Sequence, residues 1–166
     1  MLIWGGVDGA TYRGTGAKYN PTEPAGNAWV PITTTSAPSA RYAHSAVWTG
    51  TGGTMIVWGG ETDATPTYTN TGGVYNSTGD SWTATTTTAA PSARREHSGV
   101  WTNTTLNRMI VWAGRTAAST HVNDGGLYHP TNGWTSVSSS DAPVARREHV
   151  AAWADPYGMI IFTTID

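Results

Sequence analysis

Three Arg-x-x-His segments are the first place to look for chemistry: Arg41 to His44, Arg94 to His97 and Arg146 to His149. Imidazoles set around a common axis could hold zinc, which takes neutral histidine nitrogens as ligands. Their spacing argues for another role. The motif recurs once in every unit of the chain, and a residue required in each unit serves the unit's architecture. Arg41, Arg94 and Arg146 are therefore expected to bond carbonyls at the junctions between units. His44, His97 and His149 are expected to cap the start of the strand that follows. No metal, cofactor or catalytic residue is expected.

Positions that change inside or beside a repeated frame are better candidates for recognition. Tyr42-Ala43 in the first motif becomes Arg95-Glu96 in the second and Arg147-Glu148 in the third. A second variable set lies in three long segments, 7–15, 61–71 and 115–124. They hold Asp8, Tyr12, Arg13, Glu61, Asp63, Tyr68, Arg115, His121 and Asp124. Variable loops on a rigid scaffold are where recognition concentrates. Tyr and Arg there suit peptides or sugars, by stacking and by bidentate bonding, which singles out Tyr68 and Arg115, with His121 beside them. The competing reading is that all of these are solvated surface residues.

Composition bounds the alternatives. The 166 residues carry a net charge of -2 with 12% charged residues, so no basic field for nucleic acid exists. There is no cysteine, hence no disulfide, thiolate metal site or cysteine nucleophile. No apolar run approaches the length of a membrane span. Met1 opens directly on a strand, so no signal peptide is expected. Lys18 is the only lysine. The low-lysine, Thr- and Trp-rich surface suggests an extracellular or cell-surface bacterial protein whose leader is missing.

The elements that must position these residues repeat. Met1-Leu2-Ile3-Trp4-Gly5-Gly6 returns as Met55-Ile56-Val57-Trp58-Gly59-Gly60 and as Met109-Ile110-Val111-Trp112-Ala113-Gly114, and Met159-Ile160-Ile161-Phe162 is a worn fourth copy followed by Thr163-Thr164. Four copies at near-constant spacing mark a repeat protein. Each copy is a short apolar run rich in β-branched residues, the signature of a strand buried on both faces. A strand ending in Trp48, Trp101 or Trp153 follows each Arg-x-x-His. A third strand carries Gly-x-x-Tyr (Gly16 to Tyr19, Gly72 to Tyr75 with Gly73, Gly125 to Tyr128), and a fourth opens at Trp29, Trp82 or Trp134. Turn sequences such as Asn20-Pro21-Thr22 and His129-Pro130-Thr131-Asn132-Gly133 separate third from fourth. Each unit ends in Ala-Pro. The tryptophans are expected to pack between units rather than to form a sugar-stacking platform. About 53 residues with four antiparallel strands describe one β-propeller blade.

The combination of apolar strand, Gly-Gly, Tyr before Trp, Pro and Arg-x-x-His resembles the kelch repeat over essentially the whole chain. Ala113 and Thr163-Thr164 depart from its glycines. The resemblance implies an all-β propeller in which the strand after Arg-x-x-His is innermost and the Gly-Gly strand second. It also implies a mouth where kelch proteins contact peptides, near the start of the inner strand. By position, Tyr42, Arg95, Glu96, Arg147 and Glu148 line that mouth. Kelch-type copper oxidases use a tyrosine cross-linked to cysteine, which this chain cannot supply. Ser77 to Trp82 only faintly resembles the Asp-box of sialidase propellers, with Asp and Gly in the wrong order.

On that frame, residues 1–36 supply strands two to four of a blade, 37–89 and 90–141 are whole blades, and 142–166 supply strands one and two. Such an arc of about three blades leaves edges and apolar faces free, which invites association. Two chains would supply about six blades, so a homodimer closing a ring is expected, and a piece of a longer propeller is the other reading. The expected function is a non-catalytic protein- or peptide-binding scaffold. The alternative is a carbohydrate-binding module, or a fragment of an extracellular carbohydrate-active propeller.

Overall fold

Side chains alternate between the two faces of a strand, so an unbroken apolar run is stable only where both faces are covered. The second-strand runs meet that condition. In Thr54–Trp58, residues Met55 and Val57 face one side, while Ile56 and Trp58 face the other, and all four are buried.

The computed structural model describes residues 1–24, 26–50, 52–62, 68–102 and 105–162. Its elements in chain order are β1 (Leu2–Trp4), β2 (Val7–Asp8), β3 (Thr11–Tyr12), β4 (Gly16–Tyr19) and β5 (Trp29–Pro31), then β6 (Ser45–Trp48), β7 (Thr54–Trp58), β8 (Gly72–Asn76) and β9 (Ser81–Ala84). The third unit holds β10 (Ser98–Trp101), β11 (Met109–Trp112), β12 (Arg115–Ala117), β13 (Thr120–His121), β14 (Gly125–His129) and β15 (Gly133–Ser136), and the last holds β16 (Val150–Ala154) and β17 (Gly158–Phe162).

Four antiparallel sheets follow the chain: β1-β4-β5, β6-β7-β8-β9, β10-β11-β14-β15 and β16-β17. The inner strands β6 and β16 flank β10, so the sheets stand side by side as blades of a propeller arc. The core lies between blades. Trp4, Ile32, Met55, Val57, Tyr75 and Trp82 fill the first junction. Val47, Ile56, Trp58, Met109, Val111, Tyr128 and Trp134 fill the second. Trp82 and Trp134 also donate Nε1–H to the carbonyls of Thr33 and Thr86 in the preceding blade, at 2.9 and 3.0 Å. Among the described residues no helix is long and apolar enough to cross a membrane.

Two expectations need correction. Two of the segments after the second strand are not plain loops: β2–β3 and β12–β13 are short hairpins. The tryptophans ending inner strands are not core residues in the way of Trp4, Trp58 and Trp112. Trp48 is 47% exposed, because β1 leaves the space beside it uncovered, and Trp101 and Trp153 are only partly buried. Ala113 adopts the same left-handed backbone as Gly59 (φ 59° against 72°), so the missing glycine does not alter that turn. Thr163-Thr164 and Asp63 lie outside the described residues.

Candidate functional site

Each Arg-x-x-His segment makes two sets of bonds, one within its blade and one across to a neighbour. The Arg41 guanidinium is buried and donates to the carbonyls of Gly59 and Thr71 in its own blade, at 2.9 and 2.7 Å. Arg94 does the same to Ala113 and Asp124, both at 3.1 Å, and pairs with the Asp124 carboxylate at 2.8 Å. These side chains tie the second strand to the third. The link across blades is instead made by their main-chain carbonyls, which accept from Gly6, Gly60 and Gly114. A Cβ on Gly59 would lie 2.5 Å from the His97 ring, so glycine is required for that approach. Among the described residues the Arg146 side chain bonds only the Val144 carbonyl, from Nε at 3.0 Å.

The histidines also depart from the capping role. His97 Nε2 lies 2.9 Å from the Ser45 hydroxyl, and His149 Nε2 lies 2.9 Å from that of Ser98, each in the preceding inner strand. His44 donates from Nε2 to the Trp4 carbonyl at 3.1 Å. Each ring also packs edge-on against Trp4, Trp58 or Trp112. Burial, reinforced by the motif arginine, lowers His44 to about 4 and His97 to about 3, and lowers His149 as well. Among the described residues no three metal-ligating side chains converge.

Around the candidate recognition residues, the second motif residue pairs through its backbone with the residue after the Gly-Gly turn. Tyr42 and Glu61 exchange N–H to O bonds at 3.1 and 3.0 Å, as do Arg95 and Arg115. Glu61 is further bridged to Tyr68. A continuous side-chain network runs over these pairs and joins all four units of the chain. Glu61 is 3% exposed and accepts from Tyr12 (3.0 Å), Tyr42 (3.2 Å) and the Arg95 guanidinium. Arg95 also bonds the Tyr42 hydroxyl and stacks over Tyr42 and Tyr68, with 5.6 and 5.2 Å to the ring centroids. Glu96 gathers three arginines: Arg95 at 3.1 Å, Arg115 at 3.2 Å and Arg147 at 3.0 Å. Arg147 reaches Glu148 at 3.3 Å, at the exposed end. Arg115 also lies over Tyr68, and His121 sits opposite Arg115 in the β12–β13 hairpin, exposed.

The electrostatics follow from this packing. Burial and the Glu61 carboxylate push the Tyr12 phenol up to about 12, and Tyr42 is also raised. Both remain donors at any ordinary pH. Burial opposes the Arg95 charge, but Glu96 and Glu61 outweigh it and hold the guanidinium above its usual value. Arg147 is raised by its bond to Glu96.

A family model described as the KLHDC2/KLHL20/DRC7 Kelch-repeats domain matches residues 1–165. The chain belongs to the kelch-repeat family. Kelch-repeat domains generally act as non-enzymatic protein-interaction modules, and this kelch arc fits that role. No curated protein matches the chain as a relative.

Of the sequence candidates, the structure brings Tyr42, Arg95, Glu96, Arg147, Glu148, Tyr68 and Arg115 into one network, with His121 at its side. Glu61 and Tyr12 stood in the sequence only as members of variable segments, yet Glu61 is the network's buried hub. No local pattern could have promoted it, because its partner Arg95 lies 34 residues away in the next blade.

Proposed function

We propose that this kelch arc is a non-catalytic module that binds a protein or peptide segment at the mouth formed by Tyr42, Tyr68, Arg95, Glu96, Arg115, Arg147 and Glu148, and that two copies associate to complete the ring. The observation that carries the reading is the pairing of charges there. Arg95, Arg115 and Arg147 stand against Glu61, Glu96 and Glu148, so the surface is neutral by count yet dense in oriented donors and acceptors. A polyanion gains little from arginines already paired to carboxylates. A peptide backbone offers both donors and acceptors, so it can bond along such a rim without displacing the pairs. The faces of Tyr42 and Tyr68 already carry guanidinium groups, which favours a peptide over a sugar stacked on a bare ring.

A displayed peptide library tests this. Enrichment of defined sequences by the wild-type chain, lost in Arg147→Ala with Tyr68→Ala at unchanged melting temperature, is the expected outcome. Selective binding on a glycan array with no peptide enrichment would replace the reading with the carbohydrate one. Light scattering at micromolar concentration tests the association, with a mass of two chains expected.

A further inference from the structure

The self-association just proposed leaves open which surfaces meet, and the repeat geometry answers that. We infer that two copies join by strand complementation: the Arg146–Trp153 segment of each copy docks on the free edge of β1 in the other. The two identical junctions close a six-bladed ring.

Blade register specifies the pairing. In the second blade Trp58 lies opposite Ser45, Val57 opposite Ala46, Ile56 opposite Val47 and Met55 opposite Trp48. The third blade repeats this with Trp112 opposite Ser98 and Met109 opposite Trp101. β1 carries the same run and pairs with β4 in the same way, Trp4 opposite Gly16. It is nevertheless an edge strand with no inner partner among the described residues. The equivalent inner strand would set Val150 opposite Trp4, Ala151 opposite Ile3, Ala152 opposite Leu2 and Trp153 opposite Met1. An open edge of this kind takes an added strand through its main-chain bonds, with side-chain pockets setting the specificity. The pocket is present: a cleft of about 740 Å³ lies between Met1, Leu2, Val47, Trp48 and Met55, where the docked Trp153 would arrive.

Three features of the two surfaces correspond to one another. Arg41 and Arg94 reach carbonyls at the ends of the second and third strands, but among the described residues Arg146 does not. The corresponding acceptors on the β1 blade are the carbonyls of Gly5 and Thr15. Trp82 and Trp134 bond Thr33 and Thr86 of the preceding blade. Trp29, their counterpart in the first blade, is 47% exposed, and the corresponding acceptor is the Ser138 carbonyl of the second copy's third blade. Glu96 N–H bonds Ala43 O, and Glu148 N–H bonds Glu96 O, each at 3.0 Å. The next step of that ladder takes Ala43 N–H to Glu148 O of the second copy.

Docking requires β17 to leave β16, where it forms a two-stranded sheet. One antiparallel ladder then replaces another, so the backbone term changes little, and burial decides. β17 leaves Ile160 40% and Phe162 57% exposed, whereas its counterparts β7 and β11 are buried almost throughout. The exchange puts β16 against a blade that already has its outer strands.

The test is an Ile3→Cys, Ala151→Cys double variant of the chain, which has no cysteine of its own. Opposed residues on neighbouring strands stand about 4.5–5.5 Å apart at Cα, within disulfide reach. Oxidation should give a covalent dimer on a non-reducing gel, reversed by thiol. A dimer in light scattering without that crosslink overturns the strand complementation and leaves the association reading standing. A monomer overturns both. Trp29→Phe, a change at a half-exposed ring, provides a second readout. With one such bond lost at each of the two junctions, it should raise the dimer dissociation constant roughly a hundredfold, and an unchanged constant counts against the inference.

Discussion

Left-handed backbone at the third motif position aims the mouth. Ala43, Glu96 and Glu148 have φ of 50°, 57° and 55°, a region where a side chain costs about 1 kcal/mol or more. The turn is retained because it presents the N–H groups of Glu96 and Glu148 to the carbonyls of Ala43 and Glu96. Ala43 has no side-chain role in the network, so Ala43→Gly should raise stability by roughly 0.5–1 kcal/mol, read from the urea midpoint. Glu61→Gln should do the opposite. It removes a charge facing Arg95, which keeps Glu96 as a second partner, so the loss should be about 2 kcal/mol. In the same variant the Tyr12 phenol should fall from about 12 towards its ordinary value, measured by ultraviolet difference titration.

At the scale of the element, the junction between blades joins an apolar sandwich to a file of buried neutral histidines. Folding lowers His44 to about 4 and His97 to about 3, from the usual value near 6.5 in an unfolded chain. Between those limits the unfolded chain binds protons that the folded chain refuses. Stability is therefore full above about pH 6.5 and falls as pH drops towards 4 and 3, by up to roughly 1.4 kcal/mol per unit for each histidine. Urea midpoints at neutral pH and through the acid window should show this slope, and His97→Gln should flatten it. A midpoint independent of pH would mean the rings are hydrated. Arg94→Ala acts on the same junction. It leaves two carbonyls and Asp124 without their donor and should cost roughly 1–3 kcal/mol.

For the whole molecule, the asymmetry between the chain's two partial blades matters most. β1 keeps the full apolar run and both outer neighbours β4 and β5, while β17 is a worn copy that among the described residues pairs on one side only. Deleting residues 159–166 should therefore leave a dimer of the same mass in light scattering. Deleting residues 1–6 should abolish it, and the reverse result would make the tail the strand that completes the blade. In hydrogen exchange, Ile3 amides should be slow and Ile161 amides fast in the assembled state.

The blade pattern was legible because it is local. Apolar runs such as Met55 to Trp58, glycine pairs, turn residues and Ala-Pro each act within a few residues, so periodicity orders four strands per unit, and the kelch resemblance makes the strand after Arg41, Arg94 and Arg146 the inner one. What each side chain meets was not legible, because those contacts cross from one blade to the next. His97 with Ser45, Trp82 with Thr33, and Arg95 with Glu61 are 52, 49 and 34 residues apart. Their geometry depends on the rotation between neighbouring sheets, which no local pattern encodes. The same rotation decides that Trp58 is sealed inside a junction while Trp29 and Trp48, on equally regular strands, are left half exposed beside an open edge.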